Sequence, residues 1–486
     1  MDQFPPKKPL SQRLQEKLAA SRFFTFSFLI HVIIIAMGFK VVLFHQSRAK
    51  VDFTAEGGVV GADTAVAPQV DQLPDPTVQT FTPETPSVSA PTISAITSTN
   101  TTSASFQMAS VPVPVVKAMG DVKMNELPKA MNSVPGKGLP STMAGRMGGT
   151  ARTMMMDKNK GKDSSEKAVM AGLRWLKQHQ SEDGSWSPEF TPSMTGFAIL
   201  CFLGHGETPE SPEFGPTVKK GLDWLLQRGG EFQGRMSLTK DGWGGNDGVY
   251  QHAIATYAMG EYYTMTKDDR YAELLKQAVK YIVDGQAPDG GWNYGYRKEP
   301  NSDTSVAGWQ IQALKAAHLS GLNIAGVDEA LDKAMVNLKR VQGKNGGFGY
   351  RTPEDRYSLT GVGVLCTYFW KQDKDKVVRE GIEFMLKETD EKYPVKYNGK
   401  DANLYAWYYN TQACLMYGGS TWSKWNRLFQ DEIATSQSKD GSWPRTGAKD
   451  NPGGLELKND GAGPFYRTSL CVLMLEVFYR YMPTTK

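Results

Sequence analysis

Four strings recur along the last two-thirds of this chain, and they limit the possible folds more than any other feature: QSEDGSW at 180 to 186, QAPDGGW at 286 to 292, QGKNGGF at 342 to 348 and QSKDGSW at 437 to 443. A degenerate copy, TKDGWGG, contains Trp243. The aromatic positions 186, 243, 292, 348 and 443 fall near a period of 50, with one gap near residue 400, so the spacing predicts six units. A period of that size means a repeat architecture, in which each unit buries its apolar face against its neighbours.

Each string follows a segment with one apolar stripe and one charged face, as in EKAVMAGLRWLKQHQ and VDEALDKAMVNLKRVQ, the pattern of a half-exposed helix. Between these lie segments apolar on every side: MTGFAILCFLG, HAIATYAMGEYY, TSVAGWQIQALKAA, LTGVGVLCTYFW, YAWYYNTQACLMYGG and RTSLCVLMLEVFYRY. A helix apolar all round is a buried helix. Half-exposed and buried helices alternating six times predict two concentric rings, with Asp-Gly and Asn-Gly pairs supplying the tight turns.

The first third of the chain reads differently. Residues 23 to 44 hold an apolar run, FFTFSFLIHVIIIAMGF followed by KVVLF, long enough for one membrane-spanning helix if Lys40 snorkels. Lys7, Lys8, Arg13, Lys17 and Arg22 precede it, whereas residues 51 to 116 contain no lysine or arginine. That asymmetry predicts a cytoplasmic tail at 1–22 and everything after the span outside the cytoplasmic membrane, in the periplasm or its equivalent. Residues 45–164, first Thr/Ser/Pro-rich and then basic and Met-rich, have no sustained period and read as a disordered linker. The folded domain is expected over 165–486.

Composition removes several function classes. With 55 basic and 51 acidic residues there is no electrostatic footprint for nucleic acid. Cys201, Cys366, Cys414 and Cys471 sit far apart within apolar runs and read as buried free thiols. The six histidines, at 31, 45, 179, 205, 252 and 318, include no pair at metal-ligand spacing, so the sequence implies neither metal nor cofactor.

A Gln followed by Gly-x-Trp at the end of an amphipathic helix resembles the repeat motif of squalene-hopene and oxidosqualene cyclases. The wider pattern resembles protein prenyltransferase β-subunits and, most fully in SDTSVAGWQIQALKAA, NLYAWYYNTQA and LEVFYRYMP, bacterial prenyltransferase and squalene-oxidase repeat proteins. The resemblance covers roughly residues 165 to 483 and implies an all-α fold, an (α/α)6 toroid of six helix-pair repeats. Gln180, Trp186, Trp243, Gln286, Trp292, Gln342, Phe348, Gln437 and Trp443 are then structural: the amide hydrogen-bonds backbone at a helix end, and the ring packs over the neighbouring repeat.

The motifs that carry the chemistry of those families are incomplete or missing here. A class II cyclase of this kind carries Asp-x-Asp-Asp, whose middle acid protonates the substrate; the matching segment here is Pro300-Asn301-Ser302-Asp303-Thr304-Ser305, with only Asp303 remaining. Asp303 also has an ordinary task available as a helix N-cap. The zinc-binding Asp-x-Cys of prenyltransferases and the Gly-Cys-x-Glu-Gln of thioester domains are missing.

The remaining candidates are polar and aromatic residues near the starts of the buried helices, around one mouth of the ring: Tyr250, His252, Asp303, Arg356, Tyr357, Tyr405, Trp407, Tyr466 and Arg467. Asp303, His252 and Tyr357 are the candidates for catalysis. Their setting predicts a site for an isoprenoid or other apolar ligand, or for a partner, with a cyclase-like enzyme as the alternative. In the span, Ser27 and His31 share one helical face, resembling the Ser-x-x-x-His face of TonB-type transducers, and this implies a channel protein as partner.

Overall fold

The computed structural model describes residues 139–146, 148–236, 247–371, 374–448 and 454–481. The expected span at 23–44 with Ser27 and His31, most of the linker, and Trp243 lie outside these residues. Among the described residues no helix is long and apolar enough to cross a membrane.

The described chain is helical, joined by turns and isolated bridges. After a short 3-10 turn, Ser141–Arg146, and a first helix α1, Gly149–Asn159, twelve helices alternate between two types. The even-numbered ones are α2 (Asp163–Gln178), α4 (Gly215–Glu231), α6 (Ala272–Gly285), α8 (Val327–Val341), α10 (Lys376–Glu391) and α12 (Gly419–Thr435). Each buries a single stripe; α8, for example, buries Val327, Ala330, Leu331, Ala334, Leu338 and Val341 and leaves its charges outside. The odd-numbered ones are α3 (Thr191–His205), α5 (Gly248–Thr266), α7 (Thr304–Leu319), α9 (Tyr357–Lys371), α11 (Leu404–Tyr417) and α13 (Gly463–Leu475), followed by a last turn α14 (Val477–Arg480). Every residue of α5 from Gly248 to Thr264 is buried, as is every residue of α11 from Leu404 to Met416.

The odd-numbered helices pack in sequence, α3 on α5, α5 on α7, α7 on α9, α9 on α11 and α11 on α13, and α13 returns to pack on α3. This closes an inner ring of six. Each even-numbered helix packs outside its inner partner, and α12 meets α2 at the outer closure.

The repeat strings form the seams of the outer ring. Gln180 Nε2 donates to the carbonyl of Gly184 in its own turn and to that of Thr217 in α4, both at 2.9 Å. Gln286 does the same to Gly290 and to Ala330 of α8, at 2.8 and 2.7 Å. Gln342 joins Gly346 to Val377 of α10, and Gln437 joins Gly441 to Ala168 of α2, which fastens the last repeat to the first. The aromatic residue fills the space beneath. Trp186, Trp292 and Trp443 are fully buried, and each indole donates to a helix carbonyl ten residues back, at 2.7 to 2.8 Å.

The turn glycines have two constraints at once. Gly184, Gly290, Gly346 and Gly441 have φ between 88° and 95°, and a side chain at any of them would collide with a carbonyl of the next outer helix, those of Lys220, Lys333, Glu380 and Ala171. Near residue 400, where the period leaves its gap, buried Tyr397 joins the neighbouring repeat by other bonds, its backbone N–H to Glu432 of α12 and its hydroxyl to the Pro444 carbonyl.

One boundary differs from the sequence expectation. Residues 141–159, assigned to the linker, are folded: Met143, Ala144, Arg146, Met155 and Met156 are buried against the ring. The segment lacks a strong apolar stripe of its own, so its order comes from the ring surface beneath it. Asn159 ties it down, donating to the Phe478 carbonyl and accepting at its backbone oxygen from the Trp422 indole.

Candidate functional site

The inner helices start at one mouth of the ring, and Asp303 sits there as the N-cap of α7. Its Oδ1 accepts from the Ser305 and Val306 amides, at 2.8 and 3.2 Å, and from the Ser305 hydroxyl at 2.6 Å. Its Oδ2 is buried without a hydrogen-bond donor in normal geometry, and Arg351 Nη2 stands 3.9 Å away. Burial raises the carboxyl above the ordinary aspartate value, against the opposing pull of Ser305, Tyr350, the Val306 amide and Arg351. The Tyr250 hydroxyl meets Ser305 Oγ at 2.8 Å, and the Tyr250 ring lies 5.9 Å from that of Tyr294. Tyr405 and Tyr466 complete the group: burial pushes the Tyr405 hydroxyl far up, and the charges of Tyr466 and Asp303 add to the effect. Four of the nine expected mouth residues therefore converge here: Tyr250, Asp303, Tyr405 and Tyr466.

The other five serve elsewhere. His252 points away from the axis, into the seam between α4 and α6. Its Nδ1 accepts from the Met236 amide at 3.0 Å and its Nε2 donates to the Ala278 carbonyl at 2.9 Å, the same kind of inter-repeat bridge that glutamine makes at the other seams. Burial lowers its pKa to about 4, so it is a neutral structural bridge. The Tyr357 hydroxyl bonds Thr389 of α10 at 3.0 Å and its ring stacks on Tyr393, so it too faces outward, with buried Trp407 beside it. Arg356 pairs with Glu354 at 2.5 Å and lies 5.6 Å above the Tyr350 ring, at the rim. Arg467 holds the last loop, donating to the carbonyls of Trp443, Glu456 and Lys458.

Below the mouth, side chains meet across the ring. Phe197 of α3 contacts Trp309 of α7 edge to face at 5.2 Å, and Trp309 stacks on Tyr408 of α11 at 5.6 Å. These three helices are not neighbours in the ring, so their aromatic residues can touch only by occupying its centre. Tyr409 packs against both Trp309 and Tyr408, and Gln312 is hydrogen-bonded to the hydroxyls of Tyr408 and Tyr409.

A third layer lies at the ends of the inner helices: Glu261, Glu476 and Arg480 are buried and Lys315 is half-buried, and buried Arg146 joins them from the segment ahead of the ring. Arg146 Nη1 pairs with Glu261 at 2.8 Å. Arg480 Nη2 donates to the Tyr257 hydroxyl at 3.0 Å, and that hydroxyl meets Tyr481 at 2.5 Å. Lys315 Nζ lies 3.2 Å from the centre of the Phe369 ring; burial drops its pKa to about 7, with Glu261 pulling the other way. Burial likewise pushes the Glu476 carboxyl well above the ordinary range, and neither of its oxygens has a hydrogen bond. A cavity of about 10 Å³ lined by Tyr257, Glu261, Gln312, Lys315, Phe369 and Tyr481 remains, room for about one water molecule.

Sequence reasoning did not assemble this layer. The signal was a charge set inside helices that are otherwise apolar all round: the Glu of MGEYY, the Lys of QALKAA, and the Glu and Arg of LEVFYRY. No group of three or more metal-ligating side chains occurs among the described residues. On the outer surface an open groove of about 530 Å³ runs along α2, lined by Asp163, Glu166, Lys167, Met170 and Arg174.

No protein-family model and no curated protein sequence matches this chain. Among solved structures, it is similar to the type II terpene cyclase MstE from Scytonema, at 13% identity and a TM-score of 0.46 over 65% of this chain and 98% of the other. It is similar also to an α-1,6-mannanase of glycoside hydrolase family 76 from Salegentibacter, at 12% identity and a TM-score of 0.46 over 65% and 99%. A family 76 mannosidase from Bacteroides thetaiotaomicron gives 12% identity and a TM-score of 0.44 over 65% and 98%. Likenesses at this level say nothing of substrate or reaction.

Proposed function

We propose that this ring is a non-catalytic interaction module, displayed outside the cytoplasmic membrane by the span at 23–44 and the tether after it, and that it holds a macromolecular partner at its rim. One observation carries the reading: Phe197, Trp309 and Tyr408 occupy the axis where a substrate chain would have to lie. An isoprenoid needs an apolar cavity of several hundred cubic ångströms. The rim above offers Arg351 and Arg356 over the rings of Tyr294 and Tyr350, with exposed Arg297 closing the short turn that carries Tyr294, a surface suited to a polar or acidic partner.

The test uses the full chain in detergent, incubated with squalene and with polyprenyl substrates, together with photocrosslinkers placed at Arg297 and Arg351 in native membranes. The expected result is no cyclised product and a discrete crosslinked protein. A product whose formation is lost in Asp303→Asn would overturn the reading in favour of a second one, a cyclase-like enzyme with a single acid. That alternative is favoured by the fully buried Asp303 carboxyl, which burial holds above the ordinary aspartate value with Arg351 Nη2 3.9 Å from Oδ2. The Ser27 and His31 face of the anchor would meet a channel protein; a crosslinker at those two positions that captures nothing in energised membranes would remove that part of the proposal.

A further inference from the structure

The 3-10 turn Ser141–Arg146 belongs to no helix pair, yet it packs on α14 and α3, and its buried Met143 lines the cavity at the lower end of the ring with Tyr257, Gln312, Lys315 and Phe369. Its Arg146 guanidinium is met by groups from three separate elements. Glu261 of α5 supplies a carboxylate at 2.8 Å, the Leu203 carbonyl of α3 accepts at 3.4 Å, and the Arg480 carbonyl of α14 accepts from Nε at 2.9 Å. The Tyr481 ring lies 4.9 Å beneath, in cation–π contact, and Met265 Sδ stands 3.7 Å from Nη1. A carboxylate, two carbonyls and an aromatic face disposed around a planar fork are the elements of a guanidinium receptor.

Every one of those receptor groups belongs to the ring, and the guanidinium alone belongs to the segment before it. The fit continues along the backbone: a side chain on Gly145 would strike the Tyr479 carbonyl, and one on Gly206 would strike the Arg146 carbonyl. The receptor also has unused capacity. Arg146 Nη2, Glu261 Oε1 and both Glu476 oxygens are buried with no hydrogen bond, and the Glu476 carboxyl group lies against the bare Cα of Gly204 in α3. Removing the guanidinium would leave Glu261 as a buried carboxylate with Lys315 and Arg480 as its remaining cations, Arg480 Nη2 standing 3.9 Å from it.

We infer that the lower mouth is a guanidinium-binding pocket in its own right, and that Ser141–Arg146 is a ligand bound to it in cis, a plug that fastens the preceding tether to the ring. The pocket takes an arginine side chain and discriminates against a simple ammonium, because only the fork reaches the Glu261 carboxylate and the two carbonyls together. This inference is independent of whether the upper rim holds a partner.

Two experiments on the full chain test it. In the first, Arg146→Ala is titrated with methylguanidinium. The variant is expected to melt several degrees below the wild type and to recover most of that loss in millimolar methylguanidinium but not in ethylammonium, while the wild type gains nothing from either. A folded Arg146→Ala protein that methylguanidinium does not stabilise overturns the proposal. In the second, which does not depend on that variant folding, a protease site is inserted between the exposed Gly148 and Gly149 and the chain is cut. The two pieces are expected to stay together and to be released by methylguanidinium but not by ethylammonium. Pieces that part on cutting, or that no guanidinium separates, overturn it equally.

Discussion

Trp309 lies edge to face with Phe197 at 5.2 Å although α5 stands between their helices in the ring. Contact between alternate inner helices is possible only where the axis is filled. Trp309→Ala is therefore expected to leave the ring assembled, to cost about 3–5 kcal/mol by opening a dry cavity, and to create a binding site for indole that the wild type lacks. Denaturant unfolding with and without indole measures both effects.

Gln437 and Gln286 make the same pair of bonds at different seams, and only Gln437 spans the closure between α12 and α2. Replacing either with leucine strips a donor from two buried carbonyls, at about 1–3 kcal/mol. Hydrogen exchange separates the two cases. Gln437→Leu is expected to speed exchange in α2 and α12 together, whereas Gln286→Leu speeds it in α6 and α8.

His252 gives the fold a pH dependence of definite sign. Its folded pKa of about 4 lies below the ordinary histidine value, so the neutral form is the one the fold prefers. Its contribution is complete above pH 6.5, declines as pH falls through the window from 6.5 to about 4, and amounts to about 3 kcal/mol across it. The difference between wild-type and His252→Gln unfolding curves measured from pH 7 to 4 isolates this slope. A difference that does not change with pH would mean that His252 is not held neutral.

Asp303 caps α7 through Oδ1 alone, and asparagine keeps that oxygen. Asp303→Asn is expected to cost less than about 1 kcal/mol, and Asp303→Ala about 1–2 kcal/mol, in thermal or denaturant unfolding. Equal losses would show that the charge, rather than the cap, is what the helix uses.

Four seams were legible in the sequence because each depends on a local string: a glutamine, a turn glycine forced to positive φ, and an aromatic residue six positions after the glutamine. Tyr397 was missed because no glutamine and no glycine turn precede it, its Asn398-Gly399 turn coming after the tyrosine instead. The mouth was legible only in part. Asp303 and Tyr250 stood where an inner helix begins, but His252 and Tyr357, equally close to helix starts, turned outward toward α6 and α10.

Periodicity accounts for both outcomes. In the outer helices a single apolar stripe states which side faces inward, so sequence alone determined the twelve alternating helices, their order and the four glutamine seams that join one repeat to the next. The inner helices are apolar all round and carry no such stripe. Which of their side chains meet at the axis, which bridge to the outer ring, and that Glu261, Lys315, Glu476 and Arg480 gather with Arg146 in one layer were decided by the closure of α13 onto α3. That closure sets the rotation of every inner helix through contacts between residues far apart in the chain.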